Sequence, residues 1–264
     1  MSTTGVSQQY WLRSMFFTFA HEMKATLKSP YFVIGSLAQP VLYLFLFGPT
    51  LTGIPEISSG GAGGAGGAYG VFVPALFIQL AIFSSSFAGI SLVTEYRSGA
   101  FERLFATPVS RSAMLAGKVV KDSLVVVAEM IIVLLLAYPL GYRTSGLGLV
   151  VDMLLVFLTA VSFSSLSYLV AILTKQEDAL SSIFNAVLLP LILLSGILIP
   201  IDFGPHWLRV LSRFNPLTYV VEGARQAVGV GMSKGTAVSI IVAFILAVIC
   251  FGAAAQAFKG KSRT

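Results

Sequence analysis

Residues able to do chemistry are few in this chain, and they are scattered. The two histidines, His21 and His206, stand far apart in the sequence, and the single cysteine, Cys250, sits inside an apolar run. One cysteine forms no intramolecular disulfide and gives no sign of the redox compartment. There is no His-Glu-x-x-His pattern, no cysteine cluster and no closely spaced carboxylate pair within an apolar run. Metal and acid–base enzymes are disfavoured on that ground, and no catalytic, cofactor-binding or metal-ligating residue is expected. The run Ser58 to Gly67 has the glycines of a phosphate cradle, but no Gly-Lys-Ser/Thr follows it and Glu56 is the one charge nearby. It reads as a flexible linker. Gly260-Lys261-Ser262 has the ending of a phosphate loop, yet Ala255 stands where its first glycine belongs and no helix fits before Thr264.

Two charged features remain. Glu129 is the one ionisable residue deep inside an apolar run. A carboxylate there is costly, so it is either a functional group or a hydrogen-bonded glutamate joining its helix to a serine-bearing neighbour. The second reading is favoured. The other feature is the island Thr94 to Lys121, which carries Glu95, Arg97, Glu102, Arg103 and Arg111 between two long apolar stretches.

The elements around these groups follow from composition. Of 264 residues, 56% are hydrophobic and 11% charged, with a mean hydropathy of +0.88. Soluble domains carry roughly 25% charged residues. A chain this poor in charge is covered by lipid, and its net charge of +6 reads as membrane orientation rather than affinity for nucleic acid.

The expected fold is an all-α polytopic membrane protein. Residues 1–30 form an N-terminal segment with an interfacial amphipathic helix, on which Trp11, Met15, Phe19, Met23 and Leu27 make an apolar stripe toward lipid. Residues 31–258 form one transmembrane domain with six spans, near 31–51, 71–93, 113–139, 148–173, 179–199 and 236–258. Gln39-Pro40 predicts a kink in the first span, and Pro190 and Gly196 interrupt the fifth. A charged loop covers 94–112, and two short helices, Pro205 to Phe214 and Leu217 to Val228, lie in an external re-entrant cap at 200–231. Residues 259–264 are a basic tail. Six spans place both termini on one side with 12 of the 17 Lys and Arg, so the termini and the charged loop are expected in the cytoplasm of a cell (plasma or inner) membrane protein.

The segment Glu95-Tyr96-Arg97-Ser98-Gly99-Ala100-Phe101-Glu102-Arg103-Leu104-Phe105-Ala106-Thr107-Pro108, followed by Gly117-Lys118, resembles the loop of type 2 ABC exporter permeases. That family often reads Glu-Arg-x-x-Gly-x-x-Glu-x-Leu-x-x-Thr-Pro; here the opening is Glu95-Tyr96, with the basic residue displaced to Arg97. A second match is Leu194-Ser195-Gly196-Ile197, Pro200, then Phe214-Asn215-Pro216-Leu217-Thr218-Tyr219 and Glu222-Gly223-Ala224-Arg225. With the spans and the N-terminal helix, the resemblance covers nearly the whole chain. It is similar to the daunorubicin-resistance drug and lipid export permeases.

The resemblance implies a permease that is no enzyme itself, binds no cofactor directly, pairs with a second permease subunit, and takes its energy from two copies of a separate ABC ATPase that holds ATP and Mg. The lack of a phosphate loop in this chain agrees. It further implies a short coupling helix over Phe101 to Thr107, ended by Thr107-Pro108. Arg97, Glu102 and Arg103 would make charged contacts to the ATPase, and Phe101, Leu104 and Phe105 an apolar wedge. A substrate path lined by the second and fifth spans would use Phe83, Ser84, Phe87, Ser91, Asn185, Leu188 and Leu194. In the cap, Trp207, Leu211 and Phe214 suit the outer leaflet, Arg209, Arg213 and Arg225 would meet lipid phosphates, and Asn215, Pro216, Tyr219 and Glu222 carry the family pattern. An ATP-independent secondary transporter or channel, resting on Glu129, is the competing reading.

Overall fold

The computed structural model describes residues 3–28, 31–52, 67–99, 111–197, 201, 205–230 and 232–260. Among these the architecture is all-helical, with ten α-helices in chain order: α1 (Thr3–Lys28), α2 (Tyr31–Thr52), α3 (Gly67–Ser86), α4 (Gly89–Arg97), α5 (Arg111–Ala137), α6 (Gly146–Thr174), α7 (Glu177–Ser195), α8 (His206–Ser212), α9 (Pro216–Val230) and α10 (Lys234–Gly260).

The core is built around α3. A helix that is apolar on every side has no face to give to water and is enclosed by its neighbours. From Val71 to Ile82 every side chain of α3 is buried, with α2, α5, α6 and α9 packed about it. Around that axis α6 packs against α10, α9 and α5. Among the described residues four helices are long and apolar enough to cross a membrane: Gly67–Arg97 taken across its break, Gly146–Thr174, Glu177–Ser195 and Lys234–Phe258. Helix α5 is long, but its loop-side half holds Lys118, Lys121 and Asp122, with Glu129 beyond. Helix α2 runs through Pro40 and Pro49, and α7 runs through Pro190 before ending at Gly196.

Two expectations are corrected. The span expected at 71–93 is not one helix: it breaks at Phe87-Ala88, between α3 and α4. A break inside a bundle frees backbone groups that must find partners. One side chain supplies both, since the Ser167 hydroxyl of α6 donates to the Ser86 carbonyl at 2.6 Å and accepts from the Gly89 N–H at 2.8 Å. The stripe on α1 also faces the other way. Thr18 is buried and Met15, Phe19 and Met23 are half-buried along α5, while Leu12, Phe16 and Phe17 are exposed. The reason is a close approach at Gly117, where a Cβ would stand 2.7 Å from the Met15 carbonyl oxygen and 3.2 Å from the Phe19 nitrogen. The Trp11 indole N–H donates to the Ser112 hydroxyl at 3.2 Å along the same seam.

Gly117→Leu is expected to push α1 off α5 and lower stability by about 1–3 kcal/mol, the usual cost of overpacking. Thermal unfolding in detergent measures it; an unchanged melting temperature would show that this contact does not hold α1.

Candidate functional site

One cluster of described charged groups lies at the end of the bundle where α4 leads into residues 100–110. Lys118 is fully buried, on a stretch of α5 whose neighbours from Ala113 to Val119 are buried too. A buried ammonium without counter-charge costs several kcal/mol, so the position demands partners. Two are present: Glu22 of α1 at 2.6 Å and Glu95 of α4 at 2.5 Å. One turn along, the Tyr168 hydroxyl of α6 donates to Asp122, whose other oxygen pairs with Lys121. Burial pushes the Glu22 carboxyl up, but the ammonium of Lys118, with Lys121 and His21 further off, pulls harder and leaves it below its ordinary value of 4.5.

The other flank of α4 is tied more loosely. Arg97 reaches Glu177, the first residue of α7, at 3.8 Å, and the Thr94 hydroxyl donates to the same carboxylate at 3.2 Å. The Lys175 ammonium donates to the Tyr96 hydroxyl at 2.7 Å. Lys175 is itself the left-handed cap that ends α6, and Ser98-Gly99 ends α4, with Gly99 at φ 69 returning its N–H to the Tyr96 carbonyl. Of the expected ATPase-contacting residues, Arg97 is therefore placed and exposed, while Phe101, Glu102, Arg103, Leu104, Phe105, Thr107 and Pro108 lie outside the described residues.

The residues expected along a substrate path are divided. Phe87, at the break, meets Phe184 of α7 with ring centroids 6.4 Å apart. Leu188 is buried, Phe83 and Leu194 are half-buried, and Ser91 and Asn185 are exposed. Ser84 is buried beside Glu129 of α5. The Glu129 carboxyl takes a hydrogen bond from Ser36 of α2, and its second oxygen has no hydrogen-bond partner among the described residues. The glutamate thus joins α5 to serine-bearing neighbours on two helices.

In the cap, Asn215 caps α9 by accepting from the Leu217 N–H at 3.0 Å, with Pro216 as first helical residue, and donates to the Leu191 carbonyl at 2.9 Å. Trp207, Leu211 and Phe214 are exposed, as are Arg209, Tyr219 and Glu222. Arg225 overturns its expected role. It is buried and donates to the carbonyls of Val71 at 2.9 Å, Gly196 at 2.7 Å and Ile197 at 3.3 Å, so it has no route to a lipid phosphate.

Sequence reasoning singled out Lys118 only within the family match and missed its ion pairs, as it missed Glu22, the role of Ser167 and the inward turn of Arg225. The signal for Lys118 was its place within an apolar stretch, directly after Gly117.

Comparisons with known proteins follow the same course. The model of the family described as ABC-2 type transporter matches residues 14–228. A putative transport permease ycf38 from Cyanophora paradoxa is 25% identical over 225 residues, 84% of this chain and 77% of that protein. The daunorubicin resistance ABC transporter permease protein DrrB1 of Streptomyces coeruleorubidus is 24% identical over 214 residues, covering 79% and 74%. Nodulation protein J of Rhizobium leguminosarum bv. trifolii is 26% identical over 199 residues, covering 75% and 73%.

Two measurements test the site. Arg225→Met leaves three carbonyls without their donor in the cap, and an expected loss of about 3 kcal/mol follows from losing a buried charged hydrogen-bonding group; unchanged unfolding in detergent would remove Arg225 from its anchoring role. For Glu22, a folded pKa below the unfolded one gives stability that is complete above about pH 4.5 and lost as pH falls through the folded value. The melting-temperature gap between the protein and Glu22→Gln is therefore expected to be constant from neutral pH down to about 5 and to close at lower pH. A gap that widens with acid would reverse the assignment.

Proposed function

This chain belongs to the ABC-2 type transporter family, and from that premise we propose that it is the membrane-spanning permease subunit of an exporter driven by ATP hydrolysed elsewhere. ATP and Mg sit on two copies of a separate ABC ATPase, and a second permease subunit, identical or different, completes the complex. Six spans cross the cell membrane: the four apolar helices together with α2 and α5. Both termini and residues 94–112 face the cytoplasm, where Phe101 to Thr107 meets the ATPase. Relatives named for daunorubicin resistance and nodulation support an amphipathic or lipid-like cargo of the drug, antibiotic, glycolipid or polysaccharide class. The path runs along α3 and α7 near the Phe87–Phe184 contact, and the cap from 200 to 231 covers its outer end.

One observation carries this reading. The short helix that feeds the charged segment is gripped on both flanks, by Lys118 on one side and by the α6–α7 turn on the other. A load applied at residues 100–110 by a soluble partner therefore has a covalent and an ionic route into the bundle. The unpartnered Glu129 oxygen favours the competing reading, a transporter driven by a proton gradient without ATP.

Purification of the full chain from its own membranes is expected to bring down an ATP-binding-cassette protein, and reconstituted transport is expected to need ATP and to ignore a collapsed proton gradient. Glu102→Ala with Arg103→Ala is expected to lower both ATPase association and transport at least about tenfold, a loss of some 1.4 kcal/mol. Transport that follows the proton gradient and ignores ATP would replace this function with the alternative.

A further inference from the structure

Helices α9 and α10 pack on each other through small residues. A Cβ at Gly223 would meet the Ser239 hydroxyl, and one at Gly235 would meet the Gln226 side chain, so the two helices are held close at two levels. These crossings fix an antiparallel register, because Gly235 and Ser239 are four residues apart on α10, a rise of about 6 Å. Beside the seam lies an open groove of about 220 Å³, with Tyr219, Glu222, Gln226, Lys234 and Val238 in its walls. Most of its polar wall is engaged within the protein. The Ser239 hydroxyl donates to the Tyr219 carbonyl at 2.6 Å, the Tyr219 hydroxyl donates to the Arg213 carbonyl at 3.1 Å, and Gln226 accepts from Ser233 at 2.8 Å. Glu222 and Lys234 differ. Both are exposed, and neither forms an ion pair with the other or with any other described residue.

The order of features along the groove selects a ligand. Lys234 opens α10, level with the Gly235–Gln226 crossing, and Glu222 lies about one turn further in, level with the Gly223–Ser239 crossing. From that level inward, Val238, Ile241, Ile245 and Ile249 form an exposed apolar stripe on the same side of α10 as Lys234. Helix α10 is long and apolar enough to cross a membrane, so the stripe suits hydrocarbon and the groove opens at the headgroup boundary. From water inward the surface presents a cation, an anion and then apolar side chains. A lysine at the end of a span is ordinarily an interface anchor. That role accounts for Lys234 and leaves the Glu222 carboxylate beside the apolar stripe without a counter-charge.

We infer that this groove binds a membrane amphiphile of complementary order: an apolar tail along α10, an ammonium next to the tail against Glu222, and an anionic group beyond it against Lys234. Common zwitterionic phospholipids carry their phosphate next to the tail and their amine beyond, so they meet like charge at both positions. The site thus discriminates by the order of charges and not by net charge. It requires that α10 spans a membrane, and it requires neither an ATPase nor transport.

The test is native mass spectrometry of the full chain in dodecyl maltoside with one of two single-tailed probes added. N-dodecyl-β-alanine has its ammonium next to the tail and its carboxylate beyond. Dodecylphosphoethanolamine has the same tail and the reverse order, and both carry no net charge at neutral pH. The first is expected to bind about tenfold more tightly than the second. The swap Glu222→Lys/Lys234→Glu, at two exposed positions, is expected to invert that preference. Should the swapped protein fail to fold, Glu222→Gln is expected to bring the two probes within about twofold of each other. Equal binding of the two probes by the unaltered protein overturns the inference, as does a preference that survives the swap or Glu222→Gln. β-Alanine competing as well as its dodecyl derivative would make the occupant a soluble zwitterion and overturn it too. Failure of ATP-dependent transport would remove the permease function and leave this site standing.

Discussion

A lysine ammonium in an apolar bundle must have its counter-charges brought to it. Lys118 is fully buried, and its partners come from α1 and from α4, two elements that do not follow one another in the chain. That requirement sets the geometry of the whole loop end. It draws α1 against α5, where Gly117 leaves room for its backbone, and it fixes where the chain leaves α4 toward residues 100–110. Asp122 and Tyr168 then carry the polar seam on to α6.

The rest of the bundle is arranged to make that polar end affordable. Helix α3 offers apolar side chains all round and is enclosed on every side, which gives α2, α5 and α6 a common surface to pack on. Several polar groups inside are paired across helices: one Glu129 oxygen with Ser36, Ser167 with the α3–α4 break, Arg225 with three carbonyls. Each such bond is stronger as a constraint where water is absent, because the alternative is an unmet group. The outer helices α7 and α10 keep long exposed apolar faces, among them Val187, Leu189 and Leu193 on one and Ile241, Phe244 and Ile249 on the other. These suit contact with lipid or a second membrane subunit.

The helices were legible because the physics that makes them is local. Apolar runs broken by Ser29-Pro30, Thr174-Lys175 and Asn215-Pro216 give α2, α6, α7 and α9 nearly their observed limits. The charged island was legible as charge, but its partners were not. Nothing near Lys118 in the sequence points to Glu22, because the pairing is made by two helices crossing at Gly117. The break at Phe87-Ala88 was invisible for a similar reason: no proline or glycine pair marks it, and the serine that stabilises it belongs to α6. Arg225 was misread because a basic residue near a membrane surface is ordinarily a headgroup contact; only the arrival of Val71, Gly196 and Ile197 beside it shows otherwise.

That last arrangement bears on how the protein is made. Arg225 and its acceptor at Val71 lie 154 positions apart, and chains emerge N-terminus first. Helices α1 to α7 are therefore synthesised before the residue that ties Val71 of α3 to the end of α7 exists. Until α9 arrives, the Gly196 carbonyl must be met by another donor, and this end of the bundle stays unlocked. Arg225 acts as a keystone set late in translation, and a nascent chain that stalls ahead of it presents the cell's quality-control proteases with a bundle open at one end.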